Sequence, residues 1–160
     1  MIRRQREVTC AVLAAAALSA TGCEATCDNP GPALACDAPT GGACYTVFFE
    51  GQWSEQRQAL EPPEGAHFTV LYGAAHSRDY RMWKTGALAS AAVEAVAEEG
   101  DIGPLQDQVE ARLEDGTAGD EICGSQIDAT GTMATSVVVS FRHRYLSMIS
   151  MVAPSSDWFV

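Results

Sequence analysis

The pattern that most constrains this chain is a series of short β-branched and aromatic runs, each closed by a glycine, a proline or a charged break. Tyr45-Thr46-Val47-Phe48-Phe49-Glu50 ends at Gly51 and leads into Trp53, His67-Phe68-Thr69-Val70-Leu71-Tyr72 ends at Gly73, and Ser136-Val137-Val138-Val139-Ser140-Phe141 ends at Arg142-His143-Arg144. Side chains of this kind pack well on a pleated surface and poorly against a helical turn, so the runs read as strands. Ile122 to Ile127 and Leu146 to Val152 add two more, with Glu61-Pro62-Pro63-Glu64-Gly65 and Pro154-Ser155-Ser156-Asp157 as loop and turn. Ala87 to Glu99 differs in kind: it places Leu88, Ala92, Ala95 and Val96 on one face and stops at Gly100, as a helix does. That face is mostly alanine and buries little area, which suits a helix laid closely on a sheet. Leu105 to Leu113 reads as a second short helix. Strands and helices do not alternate as a parallel sheet requires, so the expected fold class is mainly β: an antiparallel β-sandwich with one or two short helices in its connections. No internal repeat is visible.

The strands begin only after residue 44. Arg3, Arg4 and Arg6 precede an apolar stretch from Cys10 to Leu18 and then small residues, the layout of an export signal over residues 1–22. The uncharged stretch from Val8 to Cys23 is 16 residues, short of the roughly 20 needed to cross a bilayer core. Ser19-Ala20-Thr21-Gly22-Cys23 resembles a bacterial lipobox, which makes Cys23 the lipidated first residue. Ordinary cleavage near Ala20 or Gly22 is the alternative. Glu24 stands in the second mature position, where aspartate would favour the inner membrane; if the cell is Gram-negative this points to the outer membrane, and without the anchor the chain is expected to be secreted. Residues 23–44 are rich in Gly, Pro, Ala, Thr and Asp, carry no Lys or Arg, and read as a tether.

Charge and cysteines narrow the compartment and the partners. The whole chain of 160 residues has a net charge of −11, and cleavage before Cys23 leaves seven Lys and Arg against twenty Asp and Glu, a net of −13. A balance so acidic argues against phosphate-backbone recognition and against adsorption on anionic headgroups, so no nucleic-acid partner is expected and membrane contact is expected only through a lipid anchor. Cys27, Cys36, Cys44 and Cys123 then remain, and in an exported chain they read as disulfides, with three pairings open. Their spacings lack any C-x-x-C element, which disfavours structural zinc.

Catalytic patterns are sparse. His67, His76 and His143 have no spacing that brings them to one metal, there is no G-x-S-x-G and no phosphate-binding glycine loop, and the acidic groups Glu98-Glu99-Asp101 and Asp115, Asp120, Glu121 read as a solvated helix end and loop. No catalytic residue is assigned. No EF-hand pattern occurs, and Asp157 beside Trp158 is at most a single calcium ligand.

Three blocks carry a family resemblance: Tyr45 to Trp53 (YTVFFEGQW), Gly73 to Trp83 (GAAHSRDYRMW) and Ser150 to Val160 (SMVAPSSDWFV), with Ala97-Glu98-Glu99-Gly100 between the last two. In order and spacing they resemble the spondin domain of the F-spondin and mindin extracellular matrix proteins, over residues 45–160, in a bacterial secreted lipoprotein-type member. The resemblance implies a sandwich like that of membrane-targeting C2 domains and a non-enzymatic adhesion module that binds a cell-surface, glycan or matrix component. It also implies a calcium site in the full-length domain that uses Asp157 of the turn. Here Ser156 replaces the family's proline, and the family's further strands and additional aspartate ligands do not follow, so the domain reads as incomplete at its C-terminus. Within the second block, Tyr80, Met82 and Trp83 are expected to be packing residues, and Arg78 and Asp79 to pair in the turn. The alternatives to adhesion are a carboxylate- or metal-dependent envelope hydrolase and a purely structural envelope lipoprotein.

Overall fold

The computed structural model describes residues 38–57, 61–155 and 157–160. The export signal, Cys23, Cys27, Cys36 and most of the expected tether lie outside them. Eight strands and two helices follow in the order β1 (Gly42–Glu50), β2 (His67–Phe68), β3 (Tyr72–His76), α1 (Ala91–Glu99), α2 (Gly103–Glu114), β4 (Ala118–Cys123), β5 (Ile127–Asp128), β6 (Thr132–Ser140), β7 (Tyr145–Ile149) and β8 (Val152–Ala153). Every strand pair is antiparallel, in the orders β1-β6, β5-β2-β8 and β4-β3-β7. The mainly β, sandwich-like class expected from the sequence is the class observed. β1 begins at Gly42, three residues inside the stretch read as tether, because Gly42 to Cys44 already pair with Val138 to Ser140.

The runs read as single strands over residues 67–72, 122–127 and 146–152 are each divided between two strands, and two further readings of local structure need correction. Gly73 does not end a strand: it lies within β3, between Met148 of β7 and Ile122 of β4. A Cβ there would overlap the Ser147 carbonyl oxygen, so the residue is glycine because a neighbouring backbone comes too close for anything larger. The first helix starts at Ala91, four residues later than its pattern suggests. The Ser90 hydroxyl caps it by accepting from the Val93 N–H at 3.3 Å, and Leu88 stands fully exposed before it. At the other end Gly100 adopts φ 71°, the left-handed conformation that closes a helix, and its N–H reaches the last free carbonyls. The buried face is Ala92, Val93, Val96 and Ala97.

The core is unequally divided. Tyr72 and Ala74 of β3, Ala118 of β4 and Ile149 of β7 pack under Val93 and Val96 of α1 and Leu105 and Val109 of α2. The opposite face of the same sheet meets β1-β6 through a smaller cluster of Ala75, Ile122 and Val137, with Val47, Val139 and Met148 around it. Ala118 and Ile122 are four apart on one strand yet serve opposite faces, because the pairing register shifts between Ala75 and His76 at the extra residue Gly119. Two side-chain hydrogen bonds join β4 to β6: Asp120 Oδ2 accepts from the Val138 N–H at 2.6 Å, and the buried Thr135 hydroxyl donates to the Cys123 carbonyl at 2.8 Å. An edge-to-face contact of Phe49 with Phe68 at 5.4 Å ties β1 to β2.

Candidate functional site

The end of β3 and the start of β7 lie side by side, His76 opposite Tyr145 and Ala75 opposite Leu146. The chain leaving β3 turns over this edge: the Asp79 N–H donates to the Ser77 hydroxyl at 3.2 Å, and Tyr80 and Met82 drop into the core. Between the turn and β7 lies a half-open groove of about 240 Å³ lined by His76, Arg78, Tyr80, Arg81, Trp83, Tyr145, Leu146 and Ser147.

Its base is fixed by hydrogen bonds and ring contacts. The buried His76 ring donates from Nδ1 to the Ser77 carbonyl at 2.7 Å, which leaves Nε2 to accept from the Ser147 hydroxyl at 2.8 Å in the neutral ring. Tyr80 meets this ring edge-on at 5.3 Å and Tyr145 stacks on it at 6.1 Å. Guanidinium groups extend the series at both ends, Arg112 over Tyr80 and Arg144 over Tyr145. Burial pushes the Tyr80 phenol above its ordinary pKa, against the opposing pull of the Gln108 amide that donates to it and of Arg112.

The upper walls are different. Trp83 is 45% exposed and Tyr145 43%, large rings left partly in water at the mouth. Arg78 and Arg81 are exposed, and neither has a hydrogen bond or ion pair among the described residues. The expected Arg78–Asp79 pair is therefore absent. Trp83 packs outside the core: among the described residues its ring contact is edge-on with Phe159 at 6.2 Å. Three of the ten basic residues of a chain with net charge −11, Arg78, Arg81 and Lys84, fall within seven positions here. That local concentration was readable in the sequence, whereas the contribution of Tyr145 and Ser147 was not.

The other candidate groups are dispersed. Asp157 is exposed in the bend after the Ala153–Pro154 cis peptide. Among the described residues no three His, Cys, Asp or Glu side chains are placed to hold a metal ion. Calcium takes six to eight oxygens, so the described residues do not by themselves fit it. His67 bonds the Gly65 carbonyl and His143 the Gly116 carbonyl, and neither forms a metal-holding group with His76 among the described residues. The acidic residues serve the scaffold: Asp101 accepts from the Gly103 N–H at the start of α2, and Glu121 accepts from the Tyr72 hydroxyl. Burial, then the Glu121 carboxylate, drives the Tyr72 phenol far above the usual tyrosine pKa. Cys44 and Cys123 are both half-cystines. No described helix is long and apolar enough to cross a membrane.

Comparison with known proteins agrees with the three sequence blocks. A family model described as Spondin_N matches residues 43–160. Human spondin-2 is 34% identical over 125 residues, covering 74% of this chain and 37% of that protein. Chicken spondin-1 is 33% identical over 141 residues, covering 81% of this chain and 17% of that protein. The chain thus spans little more than a third of the first relative and about a sixth of the second.

Proposed function

The chain belongs to the spondin N-terminal domain family, and from that footing we propose that it is an exported, non-enzymatic binding module that attaches its cell to a surface or matrix component. The observation that carries this reading is the groove over β3 and β7. Its base is locked by His76 and Ser147, while its rim offers two guanidinium groups without partners and partly exposed rings. A rigid base under an unsatisfied rim is the arrangement of a recognition site. Catalysis would need a nucleophile or an acid–base pair aimed at a common point. Asp101, Asp120 and Glu121 are instead engaged in hydrogen bonds to helix and strand groups.

The sequence supplies the rest of the proposal. Residues 1–22 direct export, Cys23 carries the lipid, and residues 23–44 hold the domain away from the envelope, with Cys27, Cys36, Cys44 and Cys123 as its disulfide framework. Asp157 is one oxygen of any calcium site, whose other ligands must come from outside the described residues. The full chain, purified and immobilised, is expected to capture cell-surface or matrix material in a pulldown, and R78Q/R81Q is expected to weaken that capture. Absence of binding to any surface fraction would remove the adhesion reading.

A further inference from the structure

The chemistry of the groove narrows what it can hold, if it is the contact site of the binding module described above. Its volume, about 240 Å³, is below the 300–1,000 Å³ usual for drug-sized ligands, so it takes a unit of about one ring. Trp83 offers partly exposed ring surface, on which the apolar face of a saturated ring can lie. Tyr145 is already stacked by His76 and Arg144 and is held in place beside it. The Ser147 hydroxyl, engaged by His76 Nε2, lines the same groove as a polar contact for hydroxyl groups.

Arg78 and Arg81 decide the charge. Two exposed guanidinium groups without internal partners can take the two oxygens of a carboxylate or its equivalent in fork geometry. The acidic Asp79 beside them and the net charge of −11 work against a densely charged polyanion, whose repulsion would grow with every further anionic unit. A ligand with one acid group on one polyhydroxylated ring satisfies both conditions.

We propose that this groove binds a monoanionic sugar residue, with its acid group on Arg78 and Arg81 and its ring against Trp83. The test is an NMR titration of the full chain at fixed ionic strength with three probes: sodium glucuronate, glucose 6-sulfate and glucose. Glucuronate differs from glucose at the acid group, so the comparison isolates the arginines. Glucuronate is expected to shift the Trp83 indole N–H and to bind at least about tenfold more tightly than glucose, the least that a charge-assisted pair should give. R78Q/R81Q should lose that advantage with its spectrum otherwise intact, since both side chains are exposed, and W83A should weaken glucuronate and glucose alike. Binding of glucose 6-sulfate as tight as glucuronate supports a site for any singly charged oxyanion sugar, and weaker binding supports a carboxylate site. Equal affinity for glucuronate and glucose, shifts confined to residues away from Trp83, or undiminished glucuronate binding by R78Q/R81Q would overturn the proposal. If the wild type captures surface material, and R78Q/R81Q captures less, while glucuronate fails to bind the wild type, the sugar assignment falls and the binding module stands.

Discussion

Replacing Asp120 tests how the two sheets are held together. Its carboxylate is the acceptor for the Val138 N–H at 2.6 Å, a short charge-assisted bond from β4 to the middle of β6. Hydrogen bonds to charged groups contribute about 1.5–3 kcal/mol net, and neutral ones about 1 kcal/mol. Asp120 is only partly buried, so water can reach the Val138 amide once the carboxylate is gone, which places D120A near the lower half of the charged range, at about 2 kcal/mol. D120N keeps an oxygen in the same place and is expected to cost about half as much. Urea denaturation of the oxidised chain, read by tryptophan fluorescence and circular dichroism, gives both numbers. Amide exchange at Val138 should accelerate in D120A and change little in D120N. If D120A falls within about 0.5 kcal/mol of wild type, or if D120N costs as much as D120A, the contact does not join the sheets in the way described.

Three further outcomes follow from the packing and the titrating groups. Leu105 of α2 has no exposed surface and packs into the cluster between the helices and the β4-β3-β7 sheet, so L105A should destabilise by about 3 kcal/mol in the same denaturation assay; a cost below about 1 kcal/mol would mean the helix-side cluster is not the main core. G73A should cost more than about 1 kcal/mol by forcing β3 from β7, and more than G65A, where a Cβ meets open space and only the positive φ of 75° is penalised. Asp115 is held below the usual carboxylate pKa by the Thr117 hydroxyl, the Thr117 N–H and then Arg112. Because the folded pKa is the lower one, its contribution to stability is present above the unfolded value of about 3.9 and is lost as pH falls through the folded value. Carboxyl NMR of T117V should show the Asp115 titration moved up toward that ordinary value, and no movement would discount the hydroxyl as its cause.

The long strands were legible because their chemistry is local. Tyr45 to Glu50 and Ser136 to Ser140 are β-branched or aromatic nearly throughout, and their identity does not depend on what they pair with. By sequence Gly73 reads as a strand end because glycine ends strands in most settings, whereas in the fold it answers to the Ser147 carbonyl, some seventy residues on. The parity change in β4 was invisible for the same reason, since it is created by pairing with β3 at the Ala75/His76 step. Leu88 fitted the helical stripe by period, but the Ser90 cap, a side-chain to backbone bond, set the start after it. Of the groove, the second block already contains His76, Arg78, Arg81 and Trp83; Tyr80 and Met82 of the same block pack in the core and Trp83 packs on Phe159. Tyr145, Leu146 and Ser147 entered only when β7 paired with β3.

The unequal cores imply an order of opening. The larger buried cluster joins the β4-β3-β7 sheet to the helices, while the β1-β6 ribbon is held by a small cluster, the Asp120 and Thr135 bonds, the Phe49 contact and the disulfide of Cys44. Free energy of local unfolding follows such contacts, so the ribbon is the unit that exchanges its amide hydrogens by a partial opening, while Tyr72 to Ala75 exchange only when the whole domain unfolds. The groove lies on the slow-exchanging part, and a ribbon opened by mechanical load or by a neighbouring chain would leave the ligand seat in place.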